Sequence, residues 1–292
     1  MKHFRQSLLW IWIMTSLMFF SLIGFTPMNS MARAEAATPP KSAAIEKPLM
    51  FVLIHGSWVD AGFWKETAAE LRLMGHEVYT PEYAGHGGVG STQLGSVTHE
   101  QMTRSVVDYM NRKKLKDVVL LGHSFGGSIV QKTAEQLPDR IRRLVFFDAF
   151  VPLDGQSVAD QFAAPVRESF EQLRKSSGNN TISLPFPLFR EAFVNTATLA
   201  EAQDYYTYVI PEPAGPAFQK LDLKKFYSLD IPKSYLFLTE DTALPQTPFG
   251  YHPSQSAHLG AYRYIAGHGD HMTTAHKEPK RLAELIVQAS RD

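Results

Sequence analysis

The chain has 292 residues, 44% hydrophobic and 20% charged, with 29 basic against 29 acidic side chains and no cysteine. A chain of this size and polarity supports one large domain, or one domain carrying an insertion, around a sizeable core. The missing basic excess argues against nucleic acid as a partner, and the missing cysteine excludes disulfides, a thiolate nucleophile and cysteine-ligated metal.

Residues 1–36 stand apart. Lys2 and Arg5 precede an apolar run from Leu8 to Phe25, and Ala34-Glu35-Ala36 follows as an A-x-A cleavage pattern. This is the form of a signal peptide cleaved after Ala36, so a secreted or extracytoplasmic protein is expected. The run is long for a signal peptide; an uncleaved leader is the alternative, and only then would the protein hold to a membrane. Residues 37–47, rich in Ala, Pro, Lys and Ser, read as a linker. The folded domain is expected over 48–292.

Leu49–Ile54 is an apolar strand that stops at His55-Gly56-Ser57-Trp58. Ala61–Met74 has helical spacing with Trp64, Ala68 and Leu71 on one face, and Gly75 ends it. His76–Thr80 reads as a second strand. Pro81–Gly95 is a glycine-rich loop without a phosphate-cradle motif, and its His86 reads as a polar loop residue with no partner acid in view. Thr98-His-Glu-Gln101 has the form of a capping box and opens a helix to about Asn111, with Met102, Val106 and Tyr109 inward.

The next segment carries the chemistry. Val118–Leu121 is a continuous apolar run, as for a parallel strand covered on both faces. Gly122-His123-Ser124-Phe125-Gly126 follows, and then Ile129, Val130, Ala134 and Leu137 recur at helical spacing up to Pro138. A G-x-S-x-G match is weak alone. Between a strand and a helix it forces its central residue into a strained turn and presents a serine hydroxyl beside the positive end of a helix. The Phe125 N–H would then point where an oxyanion forms, and the Ser57 N–H, at the end of the first strand, is the natural second donor.

Leu144–Phe147 is a further strand, ending at Asp148. To this point strands and helices alternate, which predicts a mostly parallel sheet with helices on both faces and a site beyond the carboxyl ends of the strands. From 153 to about 230 the rhythm breaks into a stretch dense in aromatics and prolines, read as a largely helical cap over the site. Ser234–Thr239 and Ala261–Ala266 resume the strands, and Pro279 opens a last helix with Leu282, Leu285, Ile286 and Ala289 on one face.

A serine needs a base, and the base needs an acid to hold its tautomer. Glu240 and Asp241 follow the next-to-last strand directly, with Asp148 as a third candidate acid. His268 and His271 follow the last strand, and the spacing to Pro279 favours His271; Asp270 beside it points elsewhere along the backbone.

These motifs resemble the α/β-hydrolases, and within them the branch of plant methylesterases, the salicylate-binding esterase and the hydroxynitrile lyases. The likeness rests on Phe51-Val-Leu-Ile-His-Gly56, Gly75-His-Glu-Val78, the elbow Gly122–Gly127, Thr239-Glu-Asp241 and Gly269-Asp-His-Met272. It implies Ser124 as nucleophile, Asp241 as acid and His271 as base, with no cofactor or metal. Three departures matter. The esterases usually continue His-Gly with a small residue, Cys and His, whereas this chain has Ser57-Trp58-Val59, so a plant-hormone substrate is not carried over. The lyases place a lysine after the catalytic histidine, where this chain has Met272. Dehalogenases and epoxide hydrolases use aspartate at the elbow, where this chain has Ser124. The expectation is a serine esterase acting on small or medium apolar esters through an acyl-enzyme. The alternatives are a lipase, amidase or lactonase with the same triad, or a ligand-binding protein that turns over slowly.

Overall fold

The computed structural model describes residues 47–88, 93–244 and 248–292. The expected signal peptide, and the expected linker except for Lys47, lie outside these residues.

Six strands form one parallel sheet: β1 (Met50–Ile54), β2 (Glu77–Tyr79), β3 (Val118–His123), β4 (Ile141–Phe147), β7 (Lys233–Leu238) and β8 (Arg263–Gly267), in the order β2-β1-β3-β4-β7-β8. Every neighbouring pair is parallel. The period of two in a strand decides how the core divides. Phe51, Leu53, Val119, Leu121, Val145 and Phe147 face one side, where Trp64, Ala68 and Leu71 of the first helical segment and Leu282, Ala283 and Ile286 of the last helix cover them. Val52, Ile54, Val118, Leu120, Leu144 and Phe146 face the other side, under Met102, Val106 and Met110 of α2 (His99–Arg112) and Ile129, Val130 and Ala134 of α3 (Gly126–Gln136). Covering on both faces explains why β3 reads as an unbroken apolar run.

Local signals set the boundaries. Thr98 caps α2 in a capping box with Gln101. Inside α2, Met110 goes to the core and Tyr109, expected inward, is only half-buried. The predicted helix from Ala61 is a short 3-10 turn, Ala61–Trp64, that runs into α1 (Lys65–Leu73).

The segment between β4 and β7 is mostly short helices, the longest being α4 (Ala164–Ser176). It also contains a feature absent from the sequence reading: a two-stranded antiparallel sheet of β5 (Thr181–Ile182) and β6 (Glu212–Pro213). Two-residue strands, one holding a proline, are too short to show alternation.

Candidate active site

Ser124 sits between β3 and α3 with φ +54°, a left-handed conformation costly for a residue with a Cβ. Four backbone contacts hold it there. The Ser124 N–H donates to the Phe147 carbonyl at 3.2 Å, and its own carbonyl accepts from Gly127 at 3.1 Å and Phe150 at 3.1 Å, while the Ser128 N–H donates to Phe125 at 3.0 Å. The elbow packs tightly against the end of β1: a Cβ on Gly126 would lie 2.6 Å from the His55 carbonyl oxygen. On the other side of that contact, a Cβ on Gly56 would lie 2.8 Å from the Ser124 Cβ. The loop after β1 and the elbow at Ser124 therefore touch through glycines. Ser57 and Phe125 both border the cavity beside Ser124. Among the described residues, neither of their backbone N–H groups is engaged by an acceptor within the chain.

Across the sheet, β7 delivers Asp241 and the loop after β8 delivers His271. The His271 Nδ1 donates to Asp241 Oδ2 at 2.6 Å, with 1% and 4% of the two residues exposed. The second carboxylate oxygen of Asp241 accepts from the Ala243 N–H at 2.8 Å. This fixes the imidazole tautomer with its proton on Nδ1 and leaves Nε2 able to accept. Three contacts bring His271 to the elbow. The His123 Nε2 donates to the His271 carbonyl at 3.0 Å, the two rings lie 4.4 Å apart, and Tyr251 stacks on the His271 ring at 5.4 Å and 7°. Ser124 and Tyr251 both line the same cavity. Among the described residues no hydrogen bond joins the Ser124 hydroxyl to His271, a bond that in free enzymes is often long and tightens once substrate is bound.

The remaining candidates take other places. Glu240 is exposed and accepts from the Gly269 N–H at 2.7 Å. The His268 side chain is 65% exposed and faces Glu278. Asp270 is fully buried, but its carboxylate accepts from the Thr273 N–H and from both the N–H and hydroxyl of Thr196, tying the histidine loop to the cap. Asp148 lies at the end of β4 with φ +38°, close to Asp241 and His271.

Two groups escaped the sequence reading. His86 is not a solvated loop residue: it is 1% exposed, and its Nε2 meets Glu212 Oε2 at 2.9 Å. Burial pulls its protonation down, but the Glu212 charge and hydrogen bond outweigh that and raise its pKa. The same Glu212 oxygen accepts from the Trp58 N–H at 2.8 Å. Trp58, with φ +62°, also donates its indole N–H to the Ile182 carbonyl at 3.0 Å and accepts from the Ile210 N–H at 2.9 Å. The cap thus grips the residue that follows Ser57. Glu212 and His86 are 126 positions apart, and nothing in the sequence pairs them. Tyr251 was missed for the same reason.

The cavity next to Ser124 measures about 310 Å³. Its walls are largely aromatic and aliphatic: Trp58, Phe125, Phe150, Phe162, Phe170 and Phe193, with Arg167 and Thr242 among the few polar lining groups. Trp58 packs against Phe170 and Phe193 at 5.7 and 5.5 Å, so the departure from the small-Cys-His pattern places a large ring in the wall.

The family model described as "Alpha/beta hydrolase family" matches residues 51–285. The chain belongs to the alpha/beta hydrolase family. An extracellular alpha/beta-hydrolase from a Paenibacillus species, described as sharing structural and functional homology with tobacco salicylic acid binding protein 2, is 68% identical to this hydrolase. It superposes with a TM-score of 0.82 over 84% of this chain and 100% of that one. The carbendazim hydrolyzing esterase of Nocardioides sp. (strain SG-4G) is 41% identical over 108 residues, which is 37% of this chain and 45% of that protein. Methylesterase 1 of Arabidopsis thaliana is 28% identical over 220 residues, 67% of this chain and 80% of that protein. The matched stretch spans about half to two thirds of the length of the first curated relatives. The relatives thus include a methylesterase and a hydrolase described as homologous to the salicylic acid binding protein, the branch that the motifs of this chain resemble.

Proposed function

We propose that this hydrolase cleaves carboxylic esters of small or medium apolar substrates through an acyl-enzyme on Ser124. The observation that carries the reading is the buried Asp241–His271 pair together with a strained serine that lines an apolar cavity alongside Ser57 and Phe125, whose N–H groups no acceptor among the described residues engages. The Ser124 Oγ attacks the ester carbonyl while His271 Nε2 takes its proton. The carbonyl oxygen becomes an oxyanion held by the N–H groups of Ser57 and Phe125, each worth about 3 kcal/mol in the transition state. His271 then gives its proton to the leaving alcohol, and a water molecule releases the acid by the same steps in reverse. Asp241 keeps the imidazole in its tautomer and stabilises its cation. The relatives named as esterases support the same reaction type. The largely apolar wall supports a neutral, apolar substrate. We further propose that residues 1–36 are a cleaved signal peptide and that the mature protein acts outside the cell. The extracellular Paenibacillus relative supports this.

The test is hydrolysis of p-nitrophenyl esters from acetate to octanoate by residues 37–292, beside Ser124→Ala. The variant is expected to lose several orders of magnitude in turnover while remaining folded. Turnover should peak at the acyl length that fills the cavity. A folded protein without Ser124-dependent hydrolysis would overturn the reading.

A further inference from the structure

Asp148 is fully buried at the carboxyl end of β4, and its carboxylate, that of Asp241 and a His271 nitrogen all lie within 4.8 Å of one another. The end of β7 holds both acids. The Leu238 N–H donates to the two Asp148 oxygens at 3.1 and 3.3 Å, and the Leu238 carbonyl accepts from the Asp241 N–H at 3.1 Å. Two carboxylates this close and this buried cannot both carry charge without a large electrostatic cost. Asp241 receives an imidazole N–H at 2.6 Å and a backbone N–H at 2.8 Å, one on each carboxylate oxygen. Asp148 receives a single shared backbone N–H.

The charged and titratable groups facing Asp148 are Asp241, Asp270, His271, Tyr235, Tyr251 and Tyr264. No lysine or arginine among the described residues pairs with it. The strained φ of +38° keeps the side chain turned to this spot, and the Tyr235 hydroxyl pins the turn by donating to the Ala149 carbonyl and accepting from the Ala149 N–H.

We propose that Asp148 is a neutral carboxylic acid that donates a hydrogen bond to Asp241 and so positions the acid that orients His271. Burial, and next the Asp241 charge, hold its carboxyl well above the usual carboxylate range, in agreement with this geometry. Asp148 touches no reacting atom. It is a positioning residue, and its part in ester cleavage rests on the catalytic roles proposed above for Asp241 and His271. The pair itself does not depend on them.

A protonated acid and an ionised one respond oppositely to an amide. In Asp148→Asn the carbonyl can accept from Leu238 and the NH2 can donate to Asp241, reproducing the neutral acid. The variant should keep kcat/KM for p-nitrophenyl butyrate within about threefold of wild type. Asp148→Ala should lower kcat about tenfold to a hundredfold with KM little changed, the usual size for an outer hydrogen-bond partner. Two readouts need no turnover. The infrared spectrum at neutral pH should contain a protonated carboxyl C=O band that disappears in Asp148→Asn. The Tm of Asp148→Asn should exceed that of wild type by a margin that grows with pH above the ordinary aspartate range, since only the folded wild type must then hold the proton. The proposal is overturned if folded wild type lacks the band, if Asn damages turnover as much as Ala, or if the Tm margin is flat with pH. If Ser124-dependent hydrolysis is absent but the band is present, the ester reading falls and the Asp148–Asp241 pair stands.

Discussion

Glu212 is a cap residue that governs the loop beneath it. One of its carboxylate oxygens accepts both from the Trp58 backbone and from His86, at 2.8 and 2.9 Å, with all three residues at most 9% exposed. Removing one member of a buried charged pair strands the other, a cost of roughly 3–5 kcal/mol. Glu212→Ala is therefore expected to lower unfolding free energy by about that amount, measured by urea denaturation at pH 6. Glu212→Gln keeps an acceptor for Trp58 and should lose less. The folded pKa of His86 is raised, so its pairing contributes fully below the ordinary histidine range and is lost as pH rises through the raised value. The deficit of the Ala variant should shrink accordingly toward alkaline pH. A deficit under about 1 kcal/mol at pH 6 would mean the pair contributes little.

At the scale of elements, the site depends on how closely β1 approaches α3. Gly126 leaves no room for a side chain, because the atoms it would meet are the backbone oxygens of His55 and Ile54, at 2.6 and 2.8 Å. Backbone cannot swing aside as a flexible side chain does. Gly126→Ala is expected to push the loop after β1 away from the elbow and separate the N–H groups of Ser57 and Phe125. A displacement near 1 Å at such a site costs about a hundredfold in rate. The expected result is a folded variant whose kcat on p-nitrophenyl butyrate falls about a hundredfold while KM changes much less. Wild-type kcat in a folded Gly126→Ala would show that the two elements have slack. The elbow and its flanking elements were legible in the sequence because strand, turn and helix are contiguous there and each has its own local signature. The β5–β6 pair was not, because its two strands are two residues each and lie far apart in the chain.

Across the whole molecule, three buried histidines are held neutral. Burial lowers His55, lowers His123 well below its ordinary value, and takes His99 to about 3. A group whose folded pKa is depressed binds fewer protons folded than unfolded, so stability falls as pH drops through the unfolded value near 6.5. Each such histidine costs up to about 1.4 kcal/mol per pH unit until its own folded value is reached. Asp160, held at about 2 against burial by the Lys220 and Ser157 hydrogen bonds, adds to the loss at lower pH. The Tm is thus expected to decline from pH 7 to pH 5 in scanning calorimetry. His99→Gln, which can keep a polar partner for Ser128, should flatten the slope. A Tm constant over that window would contradict the neutral, buried state of these rings.

What the sequence determined alone was everything carried by short-range pattern. Apolar runs set the parallel strands, helical spacing set the covering helices, and a glycine-flanked serine between them marked the elbow. That the candidate acids Glu240 and Asp241 and the candidate bases His268 and His271 stand just beyond successive strands followed from the same rhythm, because parallel strands deliver their carboxyl ends to one edge; the choice of Asp241 came from the family resemblance. Tertiary structure alone decided which buried charges meet. Glu212 and His86 are joined across 126 positions, Tyr251 lies over His271, and Asp148 stands against Asp241. Local periodicity reports which face of an element is apolar. It does not report which polar group on one element will be desolvated against which polar group on another, and that desolvation sets the chemistry of these side chains.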